Sequence, residues 1–204
     1  MIKTIIFDFG DVFINLDKEA PIRSLLKLGV SQFSEEMTAT NSKYEVGRIS
    51  SLSFVQWYKN LIPNASETTL IEAWNSIILD FPEHRLRFIE ELAQSKKFQL
   101  ILLSNTNALH IEKVKENMSQ DRFDRFKKCF HTFYLSHEIH LRKPHPEIFE
   151  FVLEAHGLTP NECLFIDDSK ENTDTAKRLG LHVWNNHPKK DDVTELFSKM
   201  KHLF

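Results

Sequence analysis

A chain of 204 residues is long enough for one sizeable core, or for a core with a small inserted subdomain. Its 41% hydrophobic and 27% charged residues are ordinary for a globular protein, and a net charge of −3 gives no electrostatic footing for nucleic acid or an anionic membrane as partner. The two cysteines, Cys129 and Cys163, form no CxxC pair or ligand-spaced cluster, which argues against structural zinc or a disulfide framework and fits a reducing cytoplasm. Asp8 and Asp11 interrupt the only early apolar run, so neither a signal peptide nor a membrane span is expected.

Residues 3–9 read as a buried strand that ends on Asp8 and turns at once through Phe9, Gly10 and Asp11. The interval 17–81 then shows helical patterns without a buried strand. They cover 21–28 before Gly29, 31–37, 51–58, and a helix opened by Ser66-Glu67-Thr68-Thr69 that runs to Ile77-Ile78. A further helix is expected over 82–95. Residues 98–104 follow as a strand so continuously apolar that both its faces must be covered. Phe123, Phe126 and Phe130 mark a buried helix face, and 132–135 a short strand. The next helix, 146–156, has Pro146 in its first turn and Gly157 as its stop. A strand over 163–167, a helix over 172–179 and a strand over 181–184 complete the series. Alternation of this kind predicts an α/β fold, a Rossmann-like parallel sheet flanked by helices. Residues 1–16 and 82–204 would form it, with 17–81 as a small helical insertion after the first strand.

Ligands of open parallel sheets bind beyond the carboxyl ends of the strands. Asp8, Ser104 and the doublet Asp167-Asp168 all fall at such ends, and Lys143 precedes Pro144 between the last two. Carboxylate, hydroxyl, ammonium and paired carboxylates are the groups needed to move a phosphoryl group with a divalent cation. Each alone has a bland reading as a turn former or helix cap; the four in order at one sheet edge do not. His110, His137, His140 and His145 have no metal-ligand spacing.

With these stations in place the chain resembles the haloacid dehalogenase-like hydrolase superfamily over nearly its full length. The resemblance is carried by Phe7-Asp8-Phe9-Gly10-Asp11-Val12, Leu103-Ser104-Asn105-Thr106-Asn107, Lys143-Pro144, and Ile166-Asp167-Asp168-Ser169 with Asn172 following. The helical insertion looks like that family's C1 cap, and the nearest likeness is to small bacterial sugar-phosphate phosphatases of the glucose-1-phosphatase kind. What the resemblance implies is a Mg²⁺-dependent hydrolase of small phosphomonoesters, with a phosphorylated metabolite as its partner. Asp8 would be the nucleophile that becomes an aspartyl-phosphate, with Lys143 as the second catalytic residue. Asp8, the Gly10 carbonyl and Asp168 would hold the metal, and Asp167 would bind metal-bound water or orient Lys143. Ser104, Asn105 and Asn107, with Lys143, would bind substrate.

One departure limits the likeness. Most phosphatases of this superfamily carry a second aspartate two places after the nucleophile, where it protonates the leaving alcohol. Here that place is Gly10, and Asp11 one place on is read as capping the turn. A positioned general acid is worth about 10²–10⁴ in rate. The leaving group then either needs little protonation, as in an anomeric phosphate, or receives its proton from the insertion, where Glu45, Arg48, Trp57 and Tyr58 are the candidates. Alternatives to a phosphatase are a metal-independent 2-haloacid dehalogenase and a degenerate member that binds ligand without turnover.

Overall fold

The computed structural model describes residues 1–204. Its elements in chain order are β1 (Thr4–Phe7), α1 (Ala20–Lys27), α2 (Glu35–Glu45), α3 (Ser51–Leu61), α4 (Glu67–Asn75), α5 (Glu83–Ser95), β2 (Gln99–Ser104) and α6 (Ala108–Met118). They continue with α7 (Gln120–Lys128), β3 (Thr132–Leu135), α8 (Ser136–Ile139), α9 (Pro146–His156), β4 (Cys163–Asp167), α10 (Lys170–Arg178), β5 (His182–Asn185) and α11 (Leu196–Lys199). The five strands form one parallel sheet in the order β3-β2-β1-β4-β5. The α/β architecture expected from the alternation of strands and helices is therefore the one observed.

Period-two alternation sends neighbouring strand residues to opposite faces. Ile5, Phe7, Leu100, Leu102, Leu164 and Ile166 face a core shared with α5, α6 and α7. Phe9, Phe13, Phe81, Phe126, Phe130 and Phe133 pack there edge to ring, with Phe9 stacked on Phe126 at 5.1 Å. Ile6, Ile101, Leu103, Cys163 and Phe165 face the other layer, closed by Ile148, Phe149 and Val152 of α9 and by Ala176 of α10. Fully burying one such side chain is worth about 1.5–3 kcal/mol, so both faces are committed.

Helices α1 to α4 share a separate apolar cluster of Leu25, Met37, Tyr44, Phe54, Tyr58 and Leu70. Ser34, Ser50 and Ser66 open α2, α3 and α4, each accepting the N–H three residues on. The chain enters and leaves this cluster through one paired ribbon. Asn15 and Asp17 donate N–H groups to the carbonyls of Asp80 and Ile77, Leu79 donates to Asn15, and Leu16 bridges Ile78 antiparallel.

Two expected helices are corrected. Ser34 caps α2, so the helix covers Glu35–Glu45 and not 31–37. Helix α4 stops at Asn75, because Ile77 and Ile78 are extended in the ribbon. Helix α6 had no counterpart in the sequence reading.

The end of α2 is seated tightly on α8. Gly47 has φ +66°, and a Cβ there would lie 2.1 Å from the His137 carbonyl oxygen, so only glycine permits the approach.

Candidate active site

Asp8 directly follows β1, the middle strand, and its N–H bonds the Ile166 carbonyl of β4 at 2.8 Å. Ser104 ends β2 and Asp167 ends β4, so the three lie along one sheet edge. Lys143 reaches this edge from the loop between α8 and α9, and its side chain is 1% exposed. Its ammonium has three protons and three acceptors, Asp8 Oδ1, Asp167 Oδ2 and the Leu103 carbonyl, each at 2.7 Å. Asp8 Oδ1 is thereby fixed, while Oδ2 accepts no hydrogen bond.

Asp167 is fully committed. Its Oδ1 accepts from the Ser169 N–H at 2.8 Å and from Asn172 Nδ2 at 3.0 Å, while Oδ2 accepts from Lys143 and again from Asn172. Asp168 pairs with Lys18 of the entering linker at 2.5 Å. Lys18 also lies 3.0 Å from Asp11 Oδ2, and Asp11 Oδ1 accepts the Leu16 N–H. Asp11 has φ +54° and holds the turn, as its position beside Gly10 suggested.

Burial is the largest influence on Asp8, Asp168 and Lys143. It raises the Asp8 carboxyl, with Lys143 pulling down and Asp167 pushing up. It raises Asp168 likewise, against Lys18. Burial opposes the Lys143 charge, but Asp167 and Asp8 outweigh it, and the lysine stays above its ordinary value. One oxygen each from Asp8, Asp167 and Asp168 can be chosen within 4.8 Å of one another. Three carboxylates so close repel unless a cation sits among them, and an all-oxygen donor set suits a hard divalent ion.

A cavity of about 300 Å³ opens between this edge and the inserted helices. Gly10, Ser104, Asn105, Asn107, His110 and Arg142 line it from the sheet side, and Thr38, Asn41, Ser42, Glu45 and Trp74 from the helices. Asn105 spends its side chain on the backbone of Lys143, Nδ2 to the carbonyl and Oδ1 from the N–H. Asn107 caps α6 and bonds Trp74 Nε1 and His110 Nδ1. Ser104 is 3% exposed at the cavity floor. A Cβ on residue 10 would lie 2.7 Å from Leu16 Cδ1, so Leu16 fills the space where a side chain would begin.

His110 stacks on Trp74 at 4.9 Å, donates from Nε2 to the Trp74 carbonyl and accepts from Asn107 at Nδ1. Burial pushes its imidazole down to about 4, with the Trp74 bond opposing. A histidine depressed in the folded state below its free value costs stability as pH falls between the two. From pH 7 to 4.5 the native protein should lose roughly 2 kcal/mol at this residue. Urea unfolding should show that increment missing in H110Q; an equal acid loss in both proteins would discount it.

The model of the haloacid dehalogenase-like hydrolase family matches residues 2–180, through all four motifs. The chain belongs to that family. D-ribitol-5-phosphate phosphatase of Bacteroides thetaiotaomicron is 28% identical over 192 residues, spanning 90% of this hydrolase and 91% of that enzyme. The wild-type crystal structure of a HAD family enzyme from the same organism, in complex with magnesium and inorganic phosphate, superposes with a TM-score of 0.84 at 32% identity, over 97% of this chain and 100% of that one. A HAD-like family hydrolase of Porphyromonas gingivalis superposes at 0.79 with 29% identity, over 100% and 98%.

Within this hydrolase, the structure brings Asp8, Lys143, Ser104, Asp167 and Asp168 together, with Gly10 beside them at the cavity. Lys18 and Arg142 were missed. Arg142 had a usable signal, being next to Lys143; Lys18 had none, because only the ribbon returns it to the sheet edge.

Proposed function

We propose that the chain is a Mg²⁺-dependent phosphatase of small sugar-type phosphomonoesters, working through an aspartyl-phosphate on Asp8. The observation that carries this reading is the carboxylate trio with the Lys143 ammonium bonded to two of its members. Asp8, the Gly10 carbonyl and Asp168 are the residues that would hold magnesium. When bound, that ion supplies charge neutralisation to a carboxylate and a phosphate dianion that otherwise repel.

The protein's own groups do the rest. Lys143 holds Asp8 Oδ1 and adds fixed positive charge at the sheet edge, and Asp167, anchored by Asn172 and the Ser169 N–H, orients Lys143. Ser104 supplies a hydroxyl donor for phosphate oxygens. Preorganised charge of this kind does most of the work in phosphoryl transfer. Helices within 17–81 act as the cap over a core of 1–16 and 82–204, excluding water and selecting the leaving group. A cavity of about 300 Å³ lined by asparagine, serine and threonine suits one small hydroxyl-rich metabolite. The relative named for D-ribitol 5-phosphate directs attention to primary-alcohol esters as well as anomeric ones. No helix is long and apolar enough to cross a membrane. The two cysteines are free and buried, which fits a reducing compartment.

Purified protein should release inorganic phosphate from alditol and sugar phosphates with Mg²⁺, lose this activity in EDTA and regain it on adding Mg²⁺ in excess. Halide release from 2-haloacids in chelator, without phosphatase activity, would overturn the reading in favour of a dehalogenase.

A further inference from the structure

A primary alkoxide is a poor leaving group, and Gly10 gives it no acid. We propose that Glu45 is the catalytic proton donor and acceptor, reaching in from α2 to serve the leaving oxygen; this rests on the phosphatase reading above. Among the residues lining the cavity, Glu45 and Arg142 alone carry formal charge at neutral pH, and Glu45 and His110 alone can exchange a proton near it. His110 is excluded because both its ring nitrogens are engaged, with Asn107 and the Trp74 carbonyl. Glu45 is available: Oε2 pairs with Arg142 Nη2 at 3.0 Å, and Oε1 has no partner within the protein.

The backbone that carries it is also held. Its own carbonyl accepts from Ser136 at 2.7 Å, Val46 bonds His140 at 2.9 Å, and Gly47 abuts the His137 carbonyl. Arg142, next to Lys143, hydrogen bonds Ser42 one turn back on α2 at 3.3 Å. Glu45 thus stands on a rigid element locked to the loop that carries Lys143. Burial lifts its carboxyl above the ordinary range against Arg142 and Lys143, the direction an acid needs. The other three candidates from the sequence fall away. Tyr58 is buried and donates to Asn41, Trp57 packs in the helical cluster, and Arg48 lines a neighbouring cleft with His140 and His145.

In the first step an Asp8 oxygen bonds to phosphorus as the bond from phosphorus to the alcohol oxygen breaks. The electron pair stays on that oxygen, which takes the Glu45 proton and leaves as alcohol. In the second step the Glu45 carboxylate takes a proton from water while the water oxygen bonds to phosphorus. The bond to Asp8 breaks, its electron pair returns to the carboxylate, and phosphate departs with Glu45 protonated again.

The test compares the intact protein, E45Q and E45D on D-ribitol 5-phosphate and on 4-nitrophenyl phosphate, whose phenolate leaves without a proton. E45Q should lose about 10²–10³-fold more in kcat/KM, which reports the first step, on the alditol ester than on the aryl ester. E45D should recover part of that difference. Mass spectrometry of E45Q quenched during aryl turnover should show an 80 Da adduct (about one phosphoryl group) accumulating on Asp8. Equal losses in kcat/KM on both esters, or unimpaired alditol turnover, overturn the role of Glu45 and leave the phosphatase standing. Failure of the intact protein to hydrolyse either ester overturns both.

Discussion

Asp8→Asn should abolish turnover of every phosphomonoester, by a factor on the order of 10⁴ or more. An asparagine amide has nearly the shape of the carboxylate but is a far weaker nucleophile toward phosphorus, so the covalent route closes. The change also removes one of the three carboxylates that can meet at the cation site. Loss should therefore appear both in single-turnover rate and in weaker Mg²⁺ binding by calorimetry. The fold should persist. Asp8 sits at the tip of β1 with its N–H on Ile166, and an asparagine oxygen can still accept from Lys143. A folded D8N protein retaining a tenth of its turnover would remove the nucleophile from the mechanism.

Lys143→Met should be the most destabilising change at the site. The lysine is 1% exposed and satisfies two carboxylates and a carbonyl at 2.7 Å each. Methionine fills the space but leaves Asp8 and Asp167 facing one another without a cation. Removing one partner from a buried ion pair costs about 3–5 kcal/mol, a large share of the stability of a domain this size. The penalty should shrink in mild acid, where protonation of one carboxylate relieves the repulsion. Urea unfolding at two pH values measures it, and K143M/D167N should recover part. A K143M protein as stable as the parent would show that the cluster is not the electrostatic knot its distances describe.

Asp8 directly follows a strand, and strand ends were the most legible part of the sequence. Leu100 to Leu103 could be read as a doubly covered strand because nothing polar interrupts it, and Ser104 marks its end. Pro146 and Gly157 bracket α9 by their own backbone preferences. Helix α2 was misplaced because its buried positions, Met37, Thr40 and Tyr44, include a polar residue, and their spacing is diluted by Thr38, Asn41 and Ser42. Helix α6 went unseen since its N-cap, Asn107, reads equally well as part of the second motif. The cavity wall was legible only as a choice of four residues. Which of them faces the sheet edge depends on how α2 docks against α8, through Gly47, Ser136 and Arg142, and such long-range fit leaves no periodic trace.

The position of β1 has a consequence for how the protein comes into being. It is made before the other strands yet lies in the centre of the sheet, with Thr4 beside Gln99 on one flank and Cys163 on the other. Such distant pairings are slow to close. During synthesis the N-terminal strand must wait, sticky and unpaired, until β4 has emerged. An early termination product would carry Asp8 without the Lys143 and Asp167 that hold it in place.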